Sequence, residues 1–194
     1  MQLHIQKEST ECDNVQNLLD YFQIKHKTQL IESDKTFKKG AYQAKSILSK
    51  SPLLEAEPNK FLNSYHSIVK FICTKVDSPL LGESAYDKIL LDQYAEMLIP
   101  IESQIQSLSQ NIAKDPQFPT SDNFTKQSED LLKELSVFNK ILKFSTFLGG
   151  NQVSYVDFLL FFALKQAKKV LPAKQFNELS NISRLEKFLI ETGI

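Results

Sequence analysis

The chain has 194 residues, with 23 basic and 23 acidic side chains and a formal net charge of zero. At 24% charged and 42% apolar residues it argues against disorder and against a chain built mainly to hold nucleic acid phosphates. No apolar run reaches the length of a membrane span, no secretory signal is expected, and the five glycines form neither a GxGxxG nor a P-loop pattern.

The length suits one sizeable core or two small subdomains. Leu3 and Ile5 alternate with polar residues, the period of a short strand. A loop from Lys7 to Glu11 follows. Thr10 and Asp13 have capping spacing, and Val15, Leu18, Leu19 and Phe22 fall on one helical face behind them. Lys27 to Glu32 reads as a second strand, and Phe37 to Leu48 as a helix with Gly40 its weak point. Pro52 enters a strand over Leu53–Ala56, and Pro58-Asn59-Lys60 is the turn of a hairpin with Phe61-Leu62. Ser64 to Lys75 reads as a helix with Ile68, Val69, Phe71 and Ile72 apolar. This is a small mixed sheet with helices over residues 1–76. The polar, proline-ended stretch Val76-Asp77-Ser78-Pro79 marks a linker, drawn at 77–82.

From residue 83 to 194 the pattern is helical. Ser84 and Asp87 repeat the cap. Ile89, Leu90, Tyr94, Met97, Leu98, Ile101, Ile105, Leu108 and Ile112 keep a stripe that Pro100 is expected to kink but not abolish. Asp115 to Asn123 is expected to be an exposed loop. Leu131, Leu132, Leu135, Phe138, Ile141 and Leu142 mark the next helix. Then a double-glycine turn, Gly149-Gly150, leads to Ser154 and Asp157, a capping box with the shorter carboxylate. The run Phe158 to Leu164 is apolar on every face, so it belongs to a central buried helix. Ile182, Leu185, Phe188 and Leu189 mark a last short helix.

Together these halves resemble the glutathione transferases: a thioredoxin-like domain followed by an all-helical one. Gly149-Gly150-Asn151-Gln152-Val153-Ser154-Tyr155-Val156-Asp157-Phe158-Leu159 is the most specific part, with wording closest to the mu class. Leu80-Leu81-Gly82-Glu83-Ser84 resembles the family's entry into its helical domain. Ser51-Pro52-Leu53-Leu54-Glu55 resembles the segment whose proline is cis and whose backbone pairs with the glutathione cysteine. The activity motifs match less well. A mu-like protein carries a Tyr after its first strand, where this chain has Ile5, Gln6 and Lys7. Ser9 falls where the serine or cysteine classes hold the glutathione thiolate, a hydroxyl that lowers a thiol pKa by donating to the charged form. Ser9 and Thr10 also read as a plain helix cap. The family's Gln/Glu-Ser pair, which binds the glutamyl end, falls on Ser64 and Tyr65, or on Asn63 and Ser64 in the shifted register.

His4, His26 and His66 are scattered and read as structural or surface residues. Cys12 and Cys73 lack metal-ligand spacing, so no metal site is expected and a reducing, cytoplasmic setting is. The site residues carried forward are Ser9 for catalysis, Ser51, Pro52, Ser64 and Tyr65 for glutathione, and Ser154 and Asp157 as a structural cap. Two functions stand. The first is a largely non-catalytic protein–protein adaptor of translation-complex or scaffold type. It would pair as a homodimer or heterodimer, without direct nucleic acid or membrane contact. The second is an active transferase that uses Ser9 on small electrophiles. No resident cofactor is expected, and glutathione stays open as a ligand.

Overall fold

The computed structural model describes residues 1–6, 9–32, 34–76 and 79–193. Lys7 and Glu8 of the expected first loop, and Asp77 and Ser78 of the expected linker, lie outside the described residues. The chain divides into two compact units, Met1–Ser78 and Pro79–Thr192.

The first unit carries a four-stranded sheet in the order β2-β1-β3-β4. β1 (Gln2–Gln6) pairs in parallel with β2 (Lys27–Ile31) and antiparallel with β3 (Leu53–Glu57), which forms a hairpin with β4 (Lys60–Leu62). The hairpin turns at Asn59, which takes the left-handed conformation at φ 63° that asparagine tolerates. α1 (Thr10–Tyr21) buries Cys12, Val15, Leu18 and Leu19, and α3 (Tyr65–Cys73) buries Ile68, Val69 and Ile72. These two helices pack on each other, and α1 also packs on β1, where Leu3 and Ile5 share one face of the pleat. This is the thioredoxin-like arrangement, and the Ser51–Pro52 bond is cis.

The other face of the sheet is covered by a smaller apolar cluster. Ile31, Phe37 and Leu53 are buried there, with Tyr42 and Phe61 against them. The helix expected over Phe37 to Leu48 is much shorter. A 3-10 helix spans Asp34–Lys38 and α2 is only Gly40–Gln43. Gly40 takes φ 57°, outside the right-handed helical region, so the two pieces cannot merge. Beyond α2 the chain is captured by a side chain: the Ser46 hydroxyl and the Leu48 backbone N–H both donate to Asn63 Oδ1, at 2.8 and 2.7 Å.

The second unit is helical. α4 (Ala85–Lys114) opens with a capping box in which Asp87 N–H donates to Ser84 Oγ and Ser84 N–H to Asp87 Oδ2, each at 3.0 Å. It runs through Pro100 without ending. Its buried face is Leu91, Ala95, Leu98, Ile101, Ile105 and Leu108, at spacings of three and four. Ile89, placed on that stripe by the sequence, is 69% exposed. The true seam passes two residues later. α5 (Asp122–Ile141) starts inside the segment expected to be loop, because Ser121 caps it by accepting from Phe124 N–H at 3.1 Å. α6 (Tyr155–Val170) is buried at every residue from Tyr155 to Leu164 and packs against α4 and α7 (Ser180–Glu191). A clasp ties α5 to α7. Asn139 Oδ1 accepts from the backbone N–H groups of Asn181 and Ile182, and Arg184 donates to the carbonyls of Leu142, Ser145 and Thr146 just past the end of α5. A cation at a helix C-terminus also suits the dipole. Among the described residues no helix is long and apolar enough to cross a membrane.

Candidate functional site

The site residues named from sequence in the first unit lie at three chain segments: the start of α1, the cis proline before β3, and the start of α3. Ser9 is the N-cap of α1, with φ −93° and ψ 114°, and its side chain makes no capping hydrogen bond. The cap is thus one residue earlier than the expected Thr10–Asp13 pair. Glu11 and Asp13 lie in the first turn, where negative charge suits the dipole.

Cys12 joins two of these segments. It is fully buried, and the hydroxyls of Ser9 and Ser51 both lie within hydrogen-bonding reach of its thiol. Burial pushes the thiol above its ordinary value, against the pull of Ser9, the Gln6 backbone and Ser51. A thiol held neutral this way is a packing and hydrogen-bonding group, not a nucleophile. The other cysteine, Cys73, is pushed by burial to about 12.

Asn63 organises the cis-proline segment, a role the sequence reading missed. Its Oδ1 accepts from Ser46 Oγ and Leu48 N–H. Its Nδ2 donates to the carbonyls of Lys50 and Pro52 at 2.6 and 3.0 Å. A buried amide whose four contacts all go to one loop fixes the shape of that loop. The only signal for this in sequence is an asparagine just before a helix cap, which ordinarily reads as turn chemistry.

At the start of α3, Ser64 is the N-cap, again with no side-chain capping bond, and Tyr65 is the first helical residue. Tyr65 is buried and its hydroxyl accepts from Asn14 Nδ2 of α1 at 3.4 Å. Its phenol is therefore directed toward α1.

In the second unit the carboxylate of Asp157 is wholly buried. It accepts from Leu148 N–H at 2.9 Å, from Ser154 N–H at 2.8 Å and from Ser154 Oγ at 2.6 Å. Burial pushes its carboxyl up to about 6, and these donors pull in the opposite direction. Two further contacts fix the helix entry. Tyr155 N–H donates to the Leu80 carbonyl at 2.9 Å, and the Tyr155 hydroxyl to Asp92 Oδ1 at 2.5 Å. The double glycine has a steric reason. A Cβ on Gly149 would stand 2.8 Å from the Gln152 carbonyl oxygen, and Gly150 takes φ 91°. Among the described residues no group of three or more His, Cys, Asp or Glu side chains comes together as a metal site.

Residues 100–189 match the family described as "Glutathione S-transferase, C-terminal domain". The larger part of the helical unit is thus similar to the C-terminal domain of the glutathione S-transferases. The matched segment contains the Ser154–Asp157 box and the whole buried helix α6.

Solved structures of such transferases share the fold along almost the whole chain. A possible glutathione S-transferase from Rhodopseudomonas palustris superposes with a TM-score of 0.81 at 15% identity, covering 99% of this chain and 94% of that one. The glutathione transferase F2 of Populus trichocarpa gives 0.76 at 19% identity, with 98% and 97% covered. A class Gtt2 glutathione S-transferase of Vibrio parahaemolyticus gives 0.74 at 16% identity, with 97% and 92% covered. No curated protein matches by sequence. Ser9, Ser51, Pro52, Ser64 and Tyr65 all stand in the thioredoxin-like unit, outside the matched segment.

Proposed function

We propose that this chain is a cytoplasmic protein–protein interaction module on the glutathione transferase fold, with weak binding of glutathione. One observation carries the reading. The loop after α2 holds Ile47 at 89% exposure, with Leu48 beside it, and Asn63 pins that loop from both sides. Single exposed apolar residues are ordinary, but an isoleucine displayed on a fully hydrogen-bonded loop loses little entropy when it docks. Tyr86 and Ile89, one turn apart at the start of α4, are exposed by 71% and 69% and add a second apolar surface. Tyr65 stands where the family has a small donor, and its bulky phenol is held toward α1 by accepting from Asn14. The partner is a second copy of this chain or another domain of the same fold.

Light scattering on the wild type and on Ile47→Glu tests the interaction surface. A self-associating wild type and a monomeric variant are expected for a homodimer. A clean wild-type monomer leaves the heterologous partner.

The second reading is an active transferase, favoured by Ser9. Its hydroxyl is not spent on the helix cap, and it stands at a helix N-terminus where a thiolate is stabilised. Calorimetric titration with glutathione, with a conjugation assay on wild type and Ser9→Ala, separates the two. The adaptor reading expects little turnover and weak binding. Micromolar to low-millimolar binding, with turnover that vanishes in Ser9→Ala, would overturn it in favour of the transferase.

A further inference from the structure

His4 lies in the middle of β1 on the face opposite Leu3 and Ile5, and it is 96% buried, with 4% of its surface exposed. The Tyr42 hydroxyl of α2 bonds its Nδ1 at 3.2 Å, and the two rings meet edge to face at 5.4 Å. Tyr42 in turn stacks edge to face on Phe37 of the 3-10 helix, also at 5.4 Å. His4 therefore sits under the segment Asp34–Lys45 and holds it through one hydroxyl.

The other ring nitrogen, Nε2, is buried, and the polar side chain offered to the ring from the neighbouring strand is that of Gln29. The groups facing the ring come from every element around it. β3 contributes Glu55, which favours a charged ring, and Lys45 after α2 disfavours it. β2 contributes Gln29, opposite His4 in strand register, whose side chain hydrogen-bonds the ring and favours its charged form, and whose Oε1 also accepts from Gln2 Nε2 at 2.8 Å. α2 contributes Tyr42 and the 3-10 helix the apolar Phe37. A second proton on this ring would place a charge in a buried setting, with one carboxylate and the Gln29 side chain for it, and one ammonium and the burial itself, the largest influence, against it.

We propose that His4 is a proton-operated latch for the Asp34–Lys45 segment: the neutral ring keeps Tyr42 and Phe37 seated on the sheet, and the doubly protonated ring releases them. Burial, the largest influence, lowers the ring's pKa while the segment is closed. The ring of an opened segment is solvated and returns toward the ordinary histidine value. As pH falls, the open form therefore takes up the proton first, and acid favours opening. Release uncovers the Ile31–Phe37–Leu53 cluster. The loop that Asn63 pins stays in place, because none of its hydrogen bonds involves a titrating group.

Hydrogen exchange on the full chain, at about pH 7.5 and about pH 5.5 and corrected for intrinsic exchange, reads the latch directly. In the wild type, protection across 34–45 is expected to fall several-fold at the lower pH while β1 and α3 keep theirs. In His4→Gln the same segment should exchange equally at both. In Tyr42→Phe it should be less protected already at the higher pH. A wild type without pH response overturns the proposal. So does a response that survives in His4→Gln, or a loss that spreads equally to β1 and α3. Should His4→Gln not fold, NMR titration of the His4 ring in the wild type decides. A ring that titrates at or above the ordinary histidine value refutes the latch.

Discussion

Replacing Asp157 by alanine removes the acceptor for the buried backbone N–H groups of Leu148 and Ser154 and for the Ser154 hydroxyl. The hydroxyl can rotate toward another partner, but the two N–H groups cannot. A buried donor left unserved costs about 1–3 kcal/mol, so the gross loss is about 2–6 kcal/mol. Against this, the wild-type carboxylate is itself expensive to bury. Its folded-state pKa of about 6, against 3.8 for the free side chain, corresponds to about 3 kcal/mol of disfavour for the ionised form. Part of that cost disappears with the side chain. The expected net destabilisation at neutral pH is about 1–3 kcal/mol, or about 3–10 °C in midpoint for a chain of this size.

The sign with pH is a sharper test. A folded pKa raised above the unfolded value means that the folded state holds the extra proton between 3.8 and about 6. The unfolded state binds fewer protons there, so this group's contribution to stability falls as pH rises through that window. The alanine variant lacks the effect, so the cost of the mutation should be larger near the acid end than at neutral pH. The chain has no tryptophan, so urea unfolding is best followed by far-ultraviolet circular dichroism at several pH values. A midpoint unchanged by the mutation would refute the capping role. A cost that shrinks on acidification would mean that the three donors outweigh burial and hold the carboxyl below its ordinary range.

Gly149→Ala must push a Cβ against the Gln152 carbonyl oxygen and sits 3.1 Å from Ser154 Cβ, so a loss of about 1–3 kcal/mol is expected in the same unfolding assay. An alanine there at wild-type stability would mean the turn relaxes freely. Arg184→Ala leaves the carbonyls of Leu142, Ser145 and Thr146 without their shared donor, and about 1–2 kcal/mol should be lost. Arg184→Lys should recover only part of this, because an ammonium lacks the planar fork of the guanidinium.

The second unit was largely legible from the sequence because its determinants are local. Ser84 with Asp87 and Ser154 with Asp157 satisfy helix starts within four residues, and the apolar run after Asp157 names its own burial. The cap at Ser121 escaped because Pro116 and Pro119 made the whole stretch read as loop. The stripe on α4 was misplaced at its start because Ile89 and Leu91 are equally apolar in sequence, and only the packed structure separates them, with Leu91 buried and Ile89 exposed. The α2 region failed for a different reason. Its helical pattern lost to Gly40 at positive φ and to Asn63, fifteen positions beyond Leu48, which takes the Leu48 N–H that a helix would have used.

The candidate site depends on contacts of that longer kind. The Ser9 hydroxyl leaves its helix cap for the Cys12 thiol, which Ser51, far along the chain, also meets. Where the Tyr65 phenol points is set by Asn14 on another helix. In both cases residue type and spacing permit either outcome, and the direction of one hydroxyl separates them. Under the proposed function the two contacts bear on different ends of the tripeptide: Ser9 would have to turn from the Cys12 thiol to a bound one, and Tyr65, braced by Asn14, stands where a small donor is expected. In the proposed reading glutathione spans both positions, so its affinity would depend on the weaker of the two anchors. Losing one charge-assisted hydrogen bond of about 1.5–3 kcal/mol is enough to cost one to two orders of magnitude in binding, while Ser9 could still lower the pKa of any thiol that arrives. Binding and thiol activation can therefore fail separately in this chain, which is why affinity and turnover must be measured side by side.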